Sequence, residues 1–485
     1  MRLKLLITLT FLLFSTFPAK AQNITAEEAQ RLQNLFQDIL KTQQTQLTQK
    51  PGERDLTLEG NVTVEPAETY YAITFPQMKI TYPDGGHINF GIISMNAIPH
   101  DTPGEFKATI ALPPSIFGFD ENGQEIMRIS IGTQKAAGLW NENLQNFTKL
   151  DALYSDINMD MDQGATQLEI PQLRIIYDLE QDENRRWSGP VSMEANGISG
   201  STPEQSTSFT LDRFTITTTL DQFEESAIKT LQDPESPPIL RIANGGIFDL
   251  QLGGLKLIKE NSNTPEAFSL ARGAIKGHFN GALGDNASAG FNLSFQDLES
   301  SNTAPELAPL IPKSGAFGLT QHNIPVTQLE QIIANAPQGD AKTLGLSLLF
   351  KIPAILAQSG SYIETRETFL SNDDYRIDFE SVLRADLTAV NNATANGTLT
   401  FAGLDKVLSM VQVASSNTKS LRKLARYLER LKALGRVEAA PDSGFIHIFD
   451  LEMNEAGQVL INGQNAMPLI LDQDITPPEP QEPGP

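Results

Sequence analysis

The chain contains no cysteine among its 485 residues. Disulfide bonds, thiolate zinc sites, iron–sulfur clusters and thiol catalysis are therefore excluded. A bacterial lipoprotein is excluded as well, because its lipid is carried on a cysteine at the cleavage site. Without disulfides, the hydrophobic core alone must hold the fold together.

Catalytic motifs are also missing. The sequence contains no Gly-x-Ser-x-Gly, no His-Glu-x-x-His, no Walker A motif and no Gly-x-Gly-x-x-Gly. The five histidines are scattered singly, whereas a zinc site needs three or four converging ligands. We therefore expect a protein that is not an enzyme and has no cofactor. A hydrolase acting on an envelope polymer stays open, because an acidic chain offers many carboxylate pairs that could reach glycosidase spacing.

Positive charge is scarce. The chain has 36 Lys and Arg residues against 59 Asp and Glu residues, a formal net charge of −23. Nucleic acid is a poor partner for such a chain, because binding a phosphate backbone needs clustered cations. The overall charge favours solubility and also argues against docking on anionic lipid head groups.

The first 21 residues have the three parts of a secretory signal peptide. Arg2 and Lys4 form a basic start, Leu5–Phe17 is an apolar run of 13 residues, and Ala19-Lys20-Ala21 is a small-x-small cleavage site. The run is shorter than the roughly 20 residues that span a bilayer. We expect a mature, periplasmic protein that begins at Gln22 and has no transmembrane helix.

After this segment the apolar pattern changes from a helical period to a period of two. Thr25–Glu28 forms a capping box before an apolar stripe at helical spacing, and alternation begins at Asp55. Alternation predicts, for example, that Leu173/Ile175/Tyr177 pair with Val191/Met193/Ala195 across Gln181–Arg186. The expected class is mainly β (α+β), a long curved antiparallel sheet or successive sheets with flanking short amphipathic helices. The predicted regions are a signal peptide at 1–21, a helix at 22–52, β regions at 53–235 and 236–340, a helix and β region at 341–475, and a disordered Pro-rich tail at 476–485.

Strands followed by short amphipathic helices recur along the chain. The predicted helices of this kind are Asp221–Leu231, Val326–Ala336 and Leu404–Val413. A further helix at Lys419–Leu434 carries leucines on one side and basic residues on the other. Leu344–Leu356 is the most apolar internal stretch, and it predicts a buried helix or, alternatively, a segment that touches a membrane or a partner.

One string resembles a metal loop. Asn158, Asp160, Asp162 and Glu169 supply oxygen ligands at positions 1, 3, 5 and 12, as a calcium loop requires. The glycine at Gly164 comes one place late, and no helix-loop-helix surrounds it. The alternative is an acidic loop before the strand at Leu168.

Three segments carry a family resemblance: Gly315–Pro337, Gly397–Val413 and Phe445–Leu471. The first two are strands that turn into amphipathic helices, and the third is a closing hairpin containing Val459–Gly463. Together they resemble uncharacterised Gram-negative periplasmic proteins of the YdgA type, broadly AsmA-like. The resemblance implies a long curved antiparallel sheet with flanking helices, on which an apolar trough can hold lipid chains.

Inward residues of the predicted strands would line such a trough. The predicted lining residues are Phe248, Leu250, Phe279, Phe291, Leu293, Phe295, Phe379 and Phe401. The alternative is that these side chains form a packed core between sheet and helices. The expected partner is therefore a lipid or another apolar ligand, or an envelope protein bound through sheet edges if the chain is a structural module.

Overall fold

A computed structural model describes residues 24–48, 54–202, 206–225, 241–260, 266–301, 303, 307–334, 351–414, 419–439 and 444–470. The fold is mainly β, with 59% strand and 18% helix, which confirms the predicted class. The chain divides into two compact units, Met1–Arg272 and Gly273–Pro485. The predicted divisions at 235/236 and 340/341 differ from this, because strands on either side of each are paired with one another.

The first unit contains fifteen strands and one helix within its described residues. The helix is α1 (Ala26–Thr48). The strands are β1 (Asp55–Glu59), β2 (Thr63–Pro66), β3 (Tyr71–Thr74), β4 (Gln77–Thr81), β5 (His87–Asn89), β6 (Ser94–Pro99), β7 (Glu105–Ala111), β8 (Ser115–Phe119), β9 (Glu125–Asn141), β10 (Asn146–Met161), β11 (Thr166–Asp178), β12 (Glu180–Gln181), β13 (Trp187–Thr202), β14 (Thr207–Phe223) and β15 (Gly245–Lys259).

Strand β16 (Glu266–Asn280) contains the division between the units. The remaining strands are β17 (Asn286–Ser300), β18 (Ser314–Pro325), β19 (Tyr362–Ser371), β20 (Arg376–Ala385), β21 (Ala393–Ala402), β22 (Arg436–Ala439), β23 (Phe445–Met453), β24 (Val459–Ile461) and β25 (Gln464–Asn465). The helices are α2 (Val326–Ala334), α3 (Leu404–Ala414), α4 (Lys419–Leu434) and α5 (Met467–Ile470), and residues 351–358 are helical as well.

The sheet of the first unit forks at β9. One edge of β9 pairs with β8 near Glu125–Ser130 and with β7 near Ala137–Asn141. One branch continues from β8 through β5 and β4 to β1, and the other continues from β7 through β6 and β3 to β2. The other edge of β9 pairs with β10 along most of its length. The fork therefore gives the sheet two layers at this end.

Helix α1 packs against both branches of the fork. Its apolar stripe is buried in the same core as the strands of both branches, and the Phe36 ring lies 5.0 Å from Trp140 and 5.5 Å from Phe75. Thr25 Oγ1 accepts the N–H of Glu28 at 3.2 Å, which confirms the predicted cap. The backbone N–H of Val62 donates to the Gln37 side chain at 2.9 Å, so polar contacts also fix the helix against the strands.

Beyond the fork, long strands follow one another in antiparallel order. Strands β10, β11, β13, β14 and β15 pair successively, each with 13 to 17 residues or about 45–55 Å of extended chain. Tyr177 lies opposite Val191, and Ile175 lies opposite Met193, which confirms the predicted hairpin. The turn between them uses the side chain of Asp182, which accepts the backbone N–H groups of Asn184 and Arg186.

These five strands and β9 share a row of irregular residues. At one position in each strand, a residue is left out of the paired ladder while the register on either side is unchanged. On β10, β13 and β15 the residue has a left-handed backbone, with φ between 54° and 69°. We call these residues the irregular row: Gly132, Asp156, Pro171, Gly197, Asp212 and Gly254.

The irregular row reverses the alternation of the strands. On β10, Ala152 and Tyr154 point into the core before the row, and Ile157 packs on the same core after it. Even-numbered residues therefore face inward before Asp156 and odd-numbered residues after it. Bulge-like irregularities of this kind also bend a strand and increase its twist.

The second unit repeats the antiparallel order and adds helices. Strands β17 to β21 pair successively, and β23 pairs with β21 on one edge and with β22 and β24 on the other. Helices α3 and α4 pack with Phe401 and Phe449 in one core. Helices predicted at Val326, Leu404 and Lys419 are confirmed. The predicted Asp221–Leu231 helix is wrong at its start, because residues 221–223 belong to β14. Residues 226–231, residues 344–350 of the apolar stretch and the tail lie outside the described residues.

The irregular row generates a prediction at two adjacent glycines of β15. A Cβ on Gly254 would lie 2.0 Å from Asp212 Oδ2, and its φ of +66° is unfavourable for alanine. A Cβ on Gly253 would meet nothing closer than 3.7 Å. We expect Gly254→Ala to lower the free energy of unfolding by about 1–2 kcal/mol, the cost of a left-handed L-residue. Gly253→Ala serves as the matched control and should change it by less than about 0.5 kcal/mol. Urea unfolding followed by circular dichroism measures both, and equal midpoints for the two variants would contradict the assigned role.

Candidate functional site

The predicted lining residues lie on five strands. Two of them lie in the first unit and six lie in the second unit. Phe248 and Leu250 lie on β15, Phe279 on β16, Phe291, Leu293 and Phe295 on β17, Phe379 on β20 and Phe401 on β21.

In the second unit, strand pairing places most of these side chains on one face of the sheet. Residues directly opposite one another in an antiparallel pair share a face. Leu293 lies opposite Phe317, and Phe291 lies opposite Leu319. A second row runs from Phe295 through Gly315, Leu370 and Ile377 to Phe401. Phe379 continues this face through Leu399 to Phe449.

Exposure of this face changes across the sheet. Phe449 and Phe401 are buried beneath helices α3 and α4. Farther from the helices, the same face carries large apolar side chains that are about two-fifths exposed. They are Phe291 (43%), Leu293 (44%), Phe317 (39%) and Leu370 (42%), and we call them the apolar face.

Burial therefore differs between Phe401, which packs in the core, and Phe291 and Leu293 of β17, which are exposed. Phe401 is 4% exposed and lines no open surface, because the helices cover it. Phe379 and Phe295 are half-buried between these extremes. Phe291 and Phe317 contact one another with ring centroids 5.7 Å apart, so these two members of the apolar face form one contiguous patch.

Sequence reasoning missed two members of the apolar face. Phe317 lies in a segment whose pattern predicts a strand followed by a helix. Leu370 lies near a bulge between Thr365 and Thr368. The alternation of Phe317 with Leu319 is the signal that could have found the first. The extra residue at the bulge breaks the period of two and conceals the second.

In the first unit, the exposure of apolar side chains also increases across the paired strands. Leu250 extends a row through Ile216, Met193 and Ile175 to Ala152, which is fully buried. Leu250 is half-buried, and Phe248 on the next row is exposed. Burial therefore decreases from the core around α1 toward β15.

The opposite face of the second unit is polar. It carries two open grooves with volumes of about 990 and 700 Å³, and both are lined by Glu364, Arg366 and Glu380. Arg366 pairs with Glu364 at 2.8 Å, and Arg376 pairs with Asp378 at 2.6 Å. These charged side chains satisfy one another, so this face has the character of a solvated surface.

The calcium-like string does not form a loop. Asn158 and Asp160 lie within β10, Glu169 lies on β11 opposite Asn158, and Asp162 begins a 3-10 turn. Asp160 lies opposite Arg128 of β9, whose guanidinium is the charge that faces it. No group of three or more His, Asp or Glu side chains that could hold a metal ion occurs within the described residues. Both the calcium loop and the acidic-loop alternative are thus corrected: these residues form the outward side of a hairpin.

Comparisons with protein families, curated proteins and solved structures found no match for the chain. The resemblance to AsmA-like proteins therefore stays an expectation. Within the described ranges, no helix has the length and hydropathy that crossing a bilayer requires.

One buried titratable group lies in the core beneath the C-terminal helices. His447 on β23 is 1% exposed, and neither of its ring nitrogens has a hydrogen-bond partner among the described residues. Burial lowers the pKa of this imidazole below its usual value of 6.5, opposed by Asp405 and assisted by Lys432. Burial therefore favours the neutral form of the ring in the folded protein.

The lowered pKa of His447 predicts that the free energy of unfolding depends on pH. Below about pH 6.5 the unfolded chain binds a proton at His447 that the folded chain does not, so the free energy of unfolding falls as pH decreases. The slope contributed by one such group is at most about 1.4 kcal/mol per pH unit. His447→Leu should remove this contribution, measured as the difference in unfolding free energy between variant and native chain at pH 7.5 and 5.5. If that difference is the same at both pH values, His447 is not the titrating group.

Proposed function

We propose that the protein is an exported periplasmic envelope protein that binds the acyl chains of a lipid, or another apolar ligand, on the apolar face, without a catalytic step. The observation that carries this proposal is that Phe291, Leu293, Phe317 and Leu370 share one sheet face and are exposed. The signal peptide pattern supports export. The implied trough of AsmA-like proteins supports the ligand class.

The physical basis is the cost of leaving such a surface in water. Full burial of a Phe or Leu side chain contributes about 1.5–3 kcal/mol, so covering the exposed part of each contributes roughly 1 kcal/mol. Contiguous apolar surfaces on soluble proteins commonly mark binding sites. An acyl chain fits this surface, because the hydrophobic effect is non-directional and the side chains of Phe291, Leu293, Phe317 and Leu370 carry no polar atom.

A structural or protein-interaction module is the second candidate. Strand β22 pairs with β23 on one edge, and its residues Arg436–Ala439 are all exposed. An extended segment of another protein could add to such a strand through backbone hydrogen bonds. This candidate uses a strand edge, whereas the first uses a sheet face, so variants can separate them.

Native mass spectrometry of the mature protein, purified from the periplasm and combined with lipid extraction, tests the proposal. We expect phospholipid or another apolar molecule to co-purify in near-stoichiometric amounts. Leu293→Gln with Phe317→Gln should weaken binding roughly thirtyfold, because two contacts of about 1 kcal/mol each are lost. The matched control is Leu387→Gln with Val390→Gln, which changes two exposed apolar residues in the turn after β20.

Equal lipid content in both double variants would show that the apolar face is not the binding surface. A clean unliganded mass of the native protein would overturn the proposal and favour the interaction module. Crosslinking to capture a partner, with a variant of β22, would then be the next experiment.

A further inference from the structure

Helix α4 concentrates positive charge in an acidic protein. It contains six of the chain's 36 Lys and Arg residues and a single acidic residue, Glu429, within 16 residues. The chain as a whole has a formal net charge of −23. The local charge of this helix is therefore opposite in sign to that of the protein.

The two sides of α4 have different surroundings. Ala425, Leu428 and Leu434 are buried in the core that α3, α4 and the sheet share. Lys423 and Arg426 are exposed, and neither is three or four positions from any of those buried residues. The inner side thus holds the helix in the fold, and the outer side presents cations to solvent.

Apolar side chains are exposed on the same helix. Leu424 is 41% exposed and Tyr427 is 36% exposed. Tyr427 lies three positions after Leu424 and four positions after the exposed Lys423, so it neighbours both on the helix surface. A surface of cations alone is explained by solubility. Leucine and tyrosine placed beside those cations need a different explanation, because their exposure costs free energy in water.

We infer that the outer side of α4 docks on an anionic lipid bilayer. Basic amphipathic helices with apolar anchors bind the membrane interface through attraction to anionic head groups and burial of apolar area. Tyrosine is suited to this position, because its ring is apolar and its hydroxyl reaches water. The inference depends on residues that the apolar face does not contain, so it is independent of the proposed function.

The net charge of the chain does not oppose this docking at physiological salt. The Debye length is about 8 Å at 0.15 M ionic strength, so carboxylates farther away are largely screened. A lipid surface therefore responds to the cations nearest to it. The net charge of the whole chain, which disfavours docking on anionic head groups, does not reflect the local concentration of cations on α4.

Vesicle flotation with the full mature protein tests the inference, using phosphatidylcholine vesicles with and without phosphatidylglycerol. We expect binding only when phosphatidylglycerol is present. Lys423→Glu with Arg426→Glu should weaken it tenfold or more, since each cation near an anionic surface contributes about fivefold. Lys41→Glu with Arg185→Glu is the matched control, because it changes the net charge equally at two exposed positions in the first unit.

Two further measurements do not depend on whether the charge-reversal variants fold. Binding of the native protein should disappear at about 1 M salt, where the Debye length is about 3 Å. Leu424→Ala with Tyr427→Ala should reduce binding to phosphatidylglycerol vesicles while the charge is unchanged. Equal binding by the two charge-reversal variants, or salt-sensitive self-association with no vesicle binding, would overturn the inference in favour of an unrelated surface or of a second copy of the chain.

Discussion

The constraint on which the rest of the structure depends is that one face of each sheet is apolar and must be covered. In the first unit, the fork at β9 and helix α1 cover it, with Leu32, Phe36 and Leu40 buried between the branches. In the second unit, helices α3 and α4 cover it over β21 and β23. Within each unit this cover is local, and exposure increases along the paired strands away from it. The candidate binding surface is thus the part of a continuous core face that its own helices leave open.

Long strands make this arrangement hard to maintain, because a strand that twists steadily turns its side chains away from the core. In the first unit, the irregular row counteracts this rotation of the side chains away from the core. Six strands depart from regular pairing at the same level, and the inward-facing residues change there between even and odd numbers. Asp156 can adopt the left-handed backbone because Asp tolerates it better than most residues, and Gly197 and Gly254 do so without a Cβ. The row is therefore a coordinated feature of several strands and cannot be recognised in any one of them.

What could be predicted from the sequence is what depends on neighbouring residues. The cap at Thr25, helix α4 and the pairing of Tyr177 with Val191 follow from local spacing, and the structure confirms them. The fork and the division at Arg272 depend on pairing between distant strands, which periodicity does not reveal. The calcium-like string shows how a period can mislead. Ligands at positions 1, 3 and 5 recur every two residues, and so does the outward side of a strand, which is where Asn158 and Asp160 lie.

Helix α4 has two roles in the second unit. Its inner side covers the core, and its outer side presents positive charge to solvent. Substitutions on the two sides should therefore have separable effects. Replacing Leu428 would remove a buried side chain from the core that contains Phe449, and the loss would appear as reduced stability. Replacing Lys423 or Arg426 leaves the core intact, so any loss would appear in binding alone. The inner side is thus required by the fold, whereas the fold does not require the cations outside. Their concentration on one helix of an acidic chain is better explained by an anionic surface outside the protein.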